Sequence, residues 1–248
     1  MVDAQKLSRS FGRAAAVYEA GRPGYPEEAV RWLLEPVSRT ARVRVADVGA
    51  GTGKLTHTLL AVGAETVAVD PDPDMLRALH ATLPAVPTFV GTAEELPLPT
   101  AALDAVVLGQ AWHWVDPASA SADSARVLRP GGVLGLVWNL RDESVPWVAR
   151  LTSAMKGSHA ETMLGGDGPD VRAPFGALVE KRWASERPVT RETLTAMVHS
   201  RSYVITAEAV ERARIEEETA ALFDEIGAVG DAEVNLPYIT RAYRTVRP

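Results

Sequence analysis

Cysteine is missing altogether from this 248-residue chain. Its absence excludes disulfide frameworks, thiolate metal sites, iron–sulfur clusters and cysteine nucleophiles. A basic excess is lacking too: 26 Lys+Arg stand against 32 Asp+Glu, a formal charge of −6, with no basic run. Sequence-independent phosphate binding uses a basic stripe, so no nucleic-acid partner is expected. Long hydrophobic runs are equally scarce. The longest, Ala105 to Val115, is far short of a bilayer span and contains Gln110 and His113, so no membrane partner is expected either. Met1 to Ser8 lack an apolar signal region, which points to a cytoplasmic protein. His57, His80, His159 and His199 show no metal-ligand spacing and read as surface or loop residues, and no metal site is expected. What remains is a globular composition, 46% hydrophobic and 23% charged. A chain of this size can bury roughly 70–75% of its unfolded surface, so a monomer needs no help and the oligomeric state stays open.

Residues 43–138 alternate in period. Val43 to Val48 is a β-branched run ending in Gly49, and Lys54 to Val62 reads as a helix with Leu55, Leu59 and Val62 on one face. Thr66 to Asp70 is a second strand. A helix from Asp72 to Leu83 turns Met75, Leu76 and Leu79 inward and stops at Pro84. Val86 to Val90 and Leu103 to Leu108 are the third and fourth strands. A helix from about Pro117 to Leu128 follows, then a Pro130-Gly-Gly turn and a fifth strand, Val133 to Trp138. Strands interleaved with helices give a parallel sheet covered on both faces. The predicted fold is α/β, doubly wound, with seven mostly parallel strands and an antiparallel closing strand. Residues 1–37 read as a helical N-terminal segment, including Pro26 to Leu34. Residues 157–176 hold five glycines and two prolines and read as a mobile loop. Val179 to Arg187 and Glu233 to Val246 are the expected closing strands. Between them lie helices from about Arg191 to His199 and Ala207 to Ile226, with Thr190 and Thr206 as N-caps. The second carries Ile215, Thr219, Leu222 and Ile226 as one buried stripe. No linker divides the chain, so a single domain spans 1–248. It has a core at about 40–140 and a helical cap at about 190–228 that is either acceptor-binding or a plain structural insertion.

The most informative segment is Val45-Ala-Asp-Val-Gly-Ala-Gly-Thr-Gly-Lys54, which follows a strand and opens a helix. A phosphate-binding loop would need glycine at Val48 and Ser or Thr at Leu55, and fails twice. A dinucleotide fingerprint starting at Gly49 would place its third glycine at Lys54, and fails as well. What is left is Gly49, Gly51 and Gly53 at spacings of two, preceded by Asp47. Asp70 lies 21 residues after Gly49 at the end of the second strand, where an acid can accept two hydrogen bonds from a ribose diol. The plainer role for Asp70 is an acid at a helix N-terminus before Pro71.

Together these segments resemble the class I S-adenosylmethionine-dependent methyltransferases, the small-molecule, type 11-like group in particular. Asp47-Val-Gly-Ala-Gly-Thr-Gly53 resembles the first motif, and Val67 to Met75 the acidic motif that follows. Gly91 to Pro99, Leu103 to Leu108 and Val127 to Val133 resemble the next three, in the right order over residues 45–138. The Phe11, Tyr18, Arg22 and Tyr25 segment and the Gln110-Ala-Trp-His-Trp114 run resemble one branch of the group. The resemblance implies S-adenosyl-L-methionine as cofactor, S-adenosyl-L-homocysteine as product and a small-molecule partner. It implies that Gly49, Ala50, Gly51, Thr52 and Gly53 lie along the methionine end, with Asp47 near its amino group. Asp70 and Pro71 would meet the ribose, Met75 the adenine face, and Thr92, Ala93 and Glu94 the adenine edge. Thr92 departs from the family pattern, which often has an acid there. Gln110 and Ala111 would lie beside the methionine moiety, and Tyr18, Arg22 and Tyr25 would close over it, Arg22 toward a carboxylate.

Methyl transfer from a sulfonium is an in-line displacement, so most of the catalysis lies in positioning. Two readings of His113 stand. It is a general base after strand four, titrating near neutral pH, or it lines the pocket while a pre-ionised acceptor reacts unaided. Trp112 and Trp114 either offer cation–π faces to a sulfonium or pack in the core. In an extended run they would share one face and His113 the other. Asn139, Arg141 and Asp142 either contact an acceptor or form a turn. Three functions follow: transfer to a small molecule, cofactor binding without transfer, and transfer to a macromolecule.

Overall fold

The computed structural model describes residues 23–39, 42–155, 159–199, 204–205 and 207–248. Tyr18, Arg22 and Thr206 lie outside them. Helix α1 (Glu27–Leu34) runs into a 3₁₀ turn at Glu35–Val37, and β1 (Arg44–Val48), α2 (Lys54–Ala61), β2 (Glu65–Asp70), α3 (Pro73–Thr82) and β3 (Thr88–Val90) follow. Strand β4 (Leu103–Gly109) leads through a 3₁₀ turn, Trp112–Trp114, into α4 (Pro117–Val127) and β5 (Leu128–Arg141). The remaining elements are α5 (Pro146–Met155), α6 (His159–Gly165), β6 (Val179–Val189), α7 (Arg191–His199), α8 (Ala209–Glu225) and β7 (Val234–Val246).

Local chemistry explains the boundaries. Asp72 caps α3 by accepting from the Asp74 N–H at 2.8 Å, with Pro73 in the first turn. Asp116 caps α4 in the same way through Ser119 N–H at 2.8 Å. Thr190 Oγ1 accepts from Thr193 N–H at 3.3 Å and opens α7 as expected. Helix α8 starts later than its sequence suggests, with Glu208 at the cap position and no side-chain cap. The Pro130-Gly-Gly turn is a dislocation inside β5, where pairing to β4 passes from Leu103↔Leu128 to Ala105↔Val133.

The strand order is β3-β2-β1-β4-β5-β7-β6. β1, β2, β3, β4 and β5 pair in parallel, and β7 runs antiparallel between β5 and β6. The order reverses between β1 and β4, which makes their carboxyl ends the topological switch point where ligands bind in such sheets. One face packs α1 and α2 through Val30, Leu33, Leu55 and Leu59 against Val45, Ala105 and Val107. The other buries Ala46, Val106, Leu134, Leu136 and Trp138 under α4, α6 and Trp112. A second core joins α5, α7 and α8 through Leu151, Leu194, Ile215, Leu222 and Phe223. It takes in Val189 at the end of β6 and Leu236 and Tyr238 at the start of β7. Since Arg141 pairs with Tyr238 and Val189 with Val234, this helical group stands beyond the carboxyl edge of the parallel strands. No helix among the described residues is long and apolar enough to cross a membrane.

Two expectations need correction. Residues 157–176 read as a mobile loop from their glycines, but the segment includes α6, and Ala160, Leu164 and Phe175 are buried in the core beside Trp112, Trp138 and Tyr243. Apolar anchors between the glycines override the turn composition. Helix α5 was not expected, although Pro146 stands at its first position. Leu164 is 3% exposed, so Leu164→Ala should cost about 2–5 kcal/mol in urea unfolding. A cost under about 0.5 kcal/mol, normal for a surface site, would mean that the segment is not packed.

Candidate functional site

The turn after β1 needs three backbones that L-side chains rarely adopt: Gly49, Gly51 and Gly53 have φ of 69°, 55° and 95°. Its hydrogen bonds fix it to the neighbouring strand. Gly49 and Ala50 N–H groups donate to the Val69 carbonyl at 2.8 and 3.1 Å, and Gly53 N–H to the Ala50 carbonyl at 3.0 Å. The three glycines serve different ends. A Cβ on Gly49 would stand 2.7 Å from the Ala111 Cβ, so Gly49 lets the β1 and β4 loops touch. Among the described residues a Cβ on Gly51 would meet nothing within 4 Å, so its backbone faces open space there. Gly53 caps α2 in the left-handed conformation.

Two acids flank the turn. Asp70, 7% exposed, accepts from Gly51 N–H and Asp72 N–H, both at 2.8 Å, and thereby ties the end of β2 to the turn. Burial pushes its carboxyl up, while the two backbone donors oppose that push. Asp47 is fully buried and accepts from Thr56 Oγ1 at 2.5 Å through Oδ2. Its Oδ1 is buried with no hydrogen-bond partner among the described residues. Desolvation pushes the Asp47 carboxyl up to about 7, Thr56 pulls it down, and the charge of Asp70 adds to the rise. Thr56 was not singled out in the sequence. Its signal is a hydroxyl, fully buried, on the inner side of α2 beside Leu55 and Leu59.

Around the end of β4 the chain is strained and close-packed. Gln110 has φ of 57°, a conformation costly for a residue with a Cβ. It is held there by Gln110 N–H to the Val137 carbonyl at 2.9 Å and by Nε2 to the Asn139 carbonyl at 3.0 Å. Tyr25 lies over the preceding glycine, where a Cβ on Gly109 would come within 2.7 Å of the Tyr25 hydroxyl. Asn139 is committed at both ends of its amide. Nδ2 donates to the Gly24 and Pro23 carbonyls at 3.0 and 3.4 Å, and Oδ1 accepts from Thr240 Oγ1 at 2.7 Å. It anchors the entering N-terminal strand of chain to β5 and is not an exposed acceptor contact.

The Trp112–Trp114 segment is a 3₁₀ turn, so the alternation of faces in an extended run does not apply. Trp112 is buried and donates Nε1–H to the Asp170 carbonyl at 2.9 Å. Trp114 is exposed and its ring lies against His113, centroids 4.8 Å apart. His113 Nδ1 accepts from Trp138 Nε1–H at 3.3 Å. A pocket of about 420 Å³ opens here, lined by Trp112, His113, Val115 and Pro117, by Thr162 and Met163 of α6, and by Asp170. Arg141, read from sequence as either an acceptor contact or a turn residue, is buried and bonded elsewhere. It donates to Thr152 Oγ1 at 3.1 Å and pairs with Glu161 at 2.7 Å, which pins α6 and hence one wall of the pocket. Among the remaining sequence candidates, Met75, Ala93 and Thr52 are buried, Pro71 and Thr92 are half-buried, and Glu94 accepts from Asp116 N–H at 2.9 Å. Asp70, Gly91 to Glu94 and Gln110 to Trp114 thus meet at one sheet edge with the glycine turn.

Asp47 makes a pH signature. A raised folded pKa means that the native state holds a proton the unfolded chain has lost. Stability from this group is therefore full below the unfolded value near 3.8 and falls as pH rises to about 7, by at most about 1.4 kcal/mol per pH unit. Asp47→Asn should match or exceed the parent in thermal melts at pH 7.5, with the difference shrinking toward pH 5. A constant difference across that range would remove the buried-proton assignment.

The profile of a methyltransferase domain matches residues 46–136. The chain is 44% identical over 245 residues to an uncharacterized methyltransferase of Mycobacterium tuberculosis, covering 96% of each. It is 30% identical over 249 residues to an uncharacterized methyltransferase-like protein of Schizosaccharomyces pombe, covering 96% of this chain and 93% of the other. Among solved structures it is similar to a candidate type II methyltransferase from Anaeromyxobacter dehalogenans, with a TM-score of 0.69 and 25% identity, covering 90% of this chain and 97% of that one.

Proposed function

The chain belongs to the class I S-adenosylmethionine-dependent methyltransferases, and from that premise we propose that it moves the methyl group of S-adenosyl-L-methionine onto a small-molecule acceptor. One observation carries the cofactor assignment. The glycine turn leaves open space at Gly51 among the described residues, and of the two buried acids that flank it Asp47 has an Oδ1 with no hydrogen-bond partner among those residues. A ligand with a cationic amino-acid end and a ribose diol fits these acceptors. When bound, S-adenosylmethionine supplies a sulfonium methyl carbon that takes an acceptor's lone pair while the carbon–sulfur pair returns to sulfur, leaving S-adenosylhomocysteine.

The protein's residues supply binding and alignment. Asp70, its oxygens already steered by Gly51 and Asp72 N–H groups, keeps lone pairs for the ribose hydroxyls. Gly49, Ala50, Thr52 and Gly53 shape the backbone beside the methionine end, and the strained Gln110 with Ala111 forms the opposite wall. Met75 and Ala93 offer apolar surface to the adenine, with Thr92 and Glu94 at its edge. Tyr18 and Arg22 would close over the cofactor with Tyr25. The pocket of about 420 Å³ beside His113 is of small-molecule size, and with the helical group beyond the sheet edge it favours a small acceptor over a macromolecule. The net charge of −6 favours the same reading over an RNA acceptor.

Two experiments test this. In calorimetric titration with S-adenosylhomocysteine, Gly51→Ala should lose about tenfold or more in affinity, and Asp70→Ala and Gly51→Val should also weaken binding strongly. Gly131→Ala is the control: Gly131 also has positive φ, 79°, with nothing within 4 Å of its added Cβ, but lies in the β5 turn. Each alanine costs about 1–2 kcal/mol through its left-handed backbone, so equal affinities in the two variants would sink the cradle assignment. The second experiment incubates the protein with methyl-labelled S-adenosylmethionine and a metabolite extract. Label in a discrete small molecule, read by mass spectrometry, is expected. Label only in protein or RNA, or cofactor binding with no label above a heat-killed control, would favour the macromolecular or the non-catalytic reading instead.

A further inference from the structure

We propose that the cofactor's amino-acid end displaces a proton from Asp47, so that ammonium and proton compete for one buried carboxyl; the inference rests on the methyltransferase reading above. Asp47 is fully buried near the end of β1, with Oδ2 at 2.5 Å from Thr56 Oγ1. No donor among the described residues meets its Oδ1. Ionised in that setting, the carboxyl would keep a charged oxygen away from water and from any donor, which is costly. The neutral acid is tolerated. It leaves a carbonyl-type oxygen instead, and the Thr56 hydroxyl can donate to Oδ2 or accept from it.

The surroundings favour the neutral acid until a cation arrives. Beside Asp47 in the sheet stand Ala68 of β2 and Val107 of β4, and α2 offers it the Thr56 hydroxyl. The charge that acts on it is that of Asp70 at the end of β2, which has the same sign. Neither Lys54 nor His57, the ionisable residues of α2, offsets that charge. On the N-terminal side the Tyr25 hydroxyl stands over Gly109. Burial and Asp70 together push the carboxyl up to about 7, against the pull of Thr56. A ligand ammonium laid along the glycine turn reverses the balance, because it gives Oδ1 a charge-assisted donor. The Asp47 O–H bond then breaks, its electron pair stays on the carboxylate, and the proton leaves to solvent. Affinity is therefore low where Asp47 is neutral, rises as pH approaches the value of the free acid, and levels off above it. The ribose end, assigned to Asp70, takes no part in the exchange.

Calorimetric titration with S-adenosylhomocysteine between pH 5.5 and 7.5 tests this on the full chain. Affinity is expected to rise about tenfold or more across that range. At pH 6, two buffers of different protonation enthalpy should report the release of about one proton per ligand bound. Methylthioadenosine keeps the adenine and the ribose diol but has no amino-acid end, so its affinity should change less than about twofold. Asp47→Asn should bind S-adenosylhomocysteine more weakly than the parent at pH 7.5 and lose the pH response. A flat response of the parent, with no proton released, would overturn the proposal. So would an equal response with methylthioadenosine, which places the titrating group at the ribose end, or a response that persists in Asp47→Asn. Should that variant fail to fold, the two ligands on the parent still decide. Failure of S-adenosylhomocysteine to bind at any pH would count instead against the underlying methyltransferase reading.

Discussion

The site depends on one hydrogen bond, Gly51 N–H to Asp70 Oδ2. It joins the carboxyl ends of β1 and β2 through a side chain, just where the backbone ladder between them has ended. The turn could not hold its three left-handed residues by propensity alone, since each glycine loses more conformational entropy on folding than any other residue. Val69 supplies its carbonyl to two of the turn's amides and Asp70 supplies a carboxylate to a third, so consecutive residues of one strand set the conformation of another strand's exit. The same carboxylate oxygen pair then starts α3 through Asp72 N–H. One acid therefore shapes the turn, launches the next helix and retains acceptor capacity for a ligand.

Burying that acid beside a second one is costly, and the cost explains the character of the site. Desolvation raises the pKa of both Asp47 and Asp70, the charge of Asp70 adds to the rise at Asp47, and the charge of Asp72 adds to that at Asp70. Thr56 and two backbone N–H groups return part of the loss, but Asp47 Oδ1 is left with none. An unsatisfied buried acceptor is worth about 1–3 kcal/mol of instability, and a cationic ligand that relieves it gains that much in differential affinity. A site held slightly unstable without its ligand binds more tightly than its contact list alone would suggest.

The sheet was legible because its strands are short β-branched runs broken by Gly, Pro and Asp, and the glycine spacing with Asp70 marked the sheet edge at the topological switch point. Both closing strands and the helix at 191–199 followed from the same periodicity. What was not legible were features that depend on partners distant in sequence. Residues 157–176 look like a loop because their glycines are visible locally, while the core that receives Leu164 and Phe175 is not. Arg141 and Asn139 end a strand at the ligand edge, as catalytic contacts would. Their engagement with Glu161 and Thr152, and with Gly24 and Thr240, depends on residues up to 115 positions away. The contact of His113 with the Trp138 indole depends likewise on a residue 25 positions away.

Trp138 and Asn139 show why such a site needs a rigid strand end. Side chains alternate along β5, so the indole reaches one face of the sheet and the amide the other. The indole holds His113 on the wall of the pocket of about 420 Å³, and the amide holds the Pro23–Gly24 backbone that carries Tyr25 onto Gly109. Thr240 locks Asn139 from the neighbouring antiparallel strand, and Tyr243 braces Trp138 from the same strand. The two sides of the cleft are therefore referred to adjacent residues of a single backbone. A displacement of β5 by a fraction of an ångström would move both together and preserve their separation, which is the quantity an in-line displacement requires to be held.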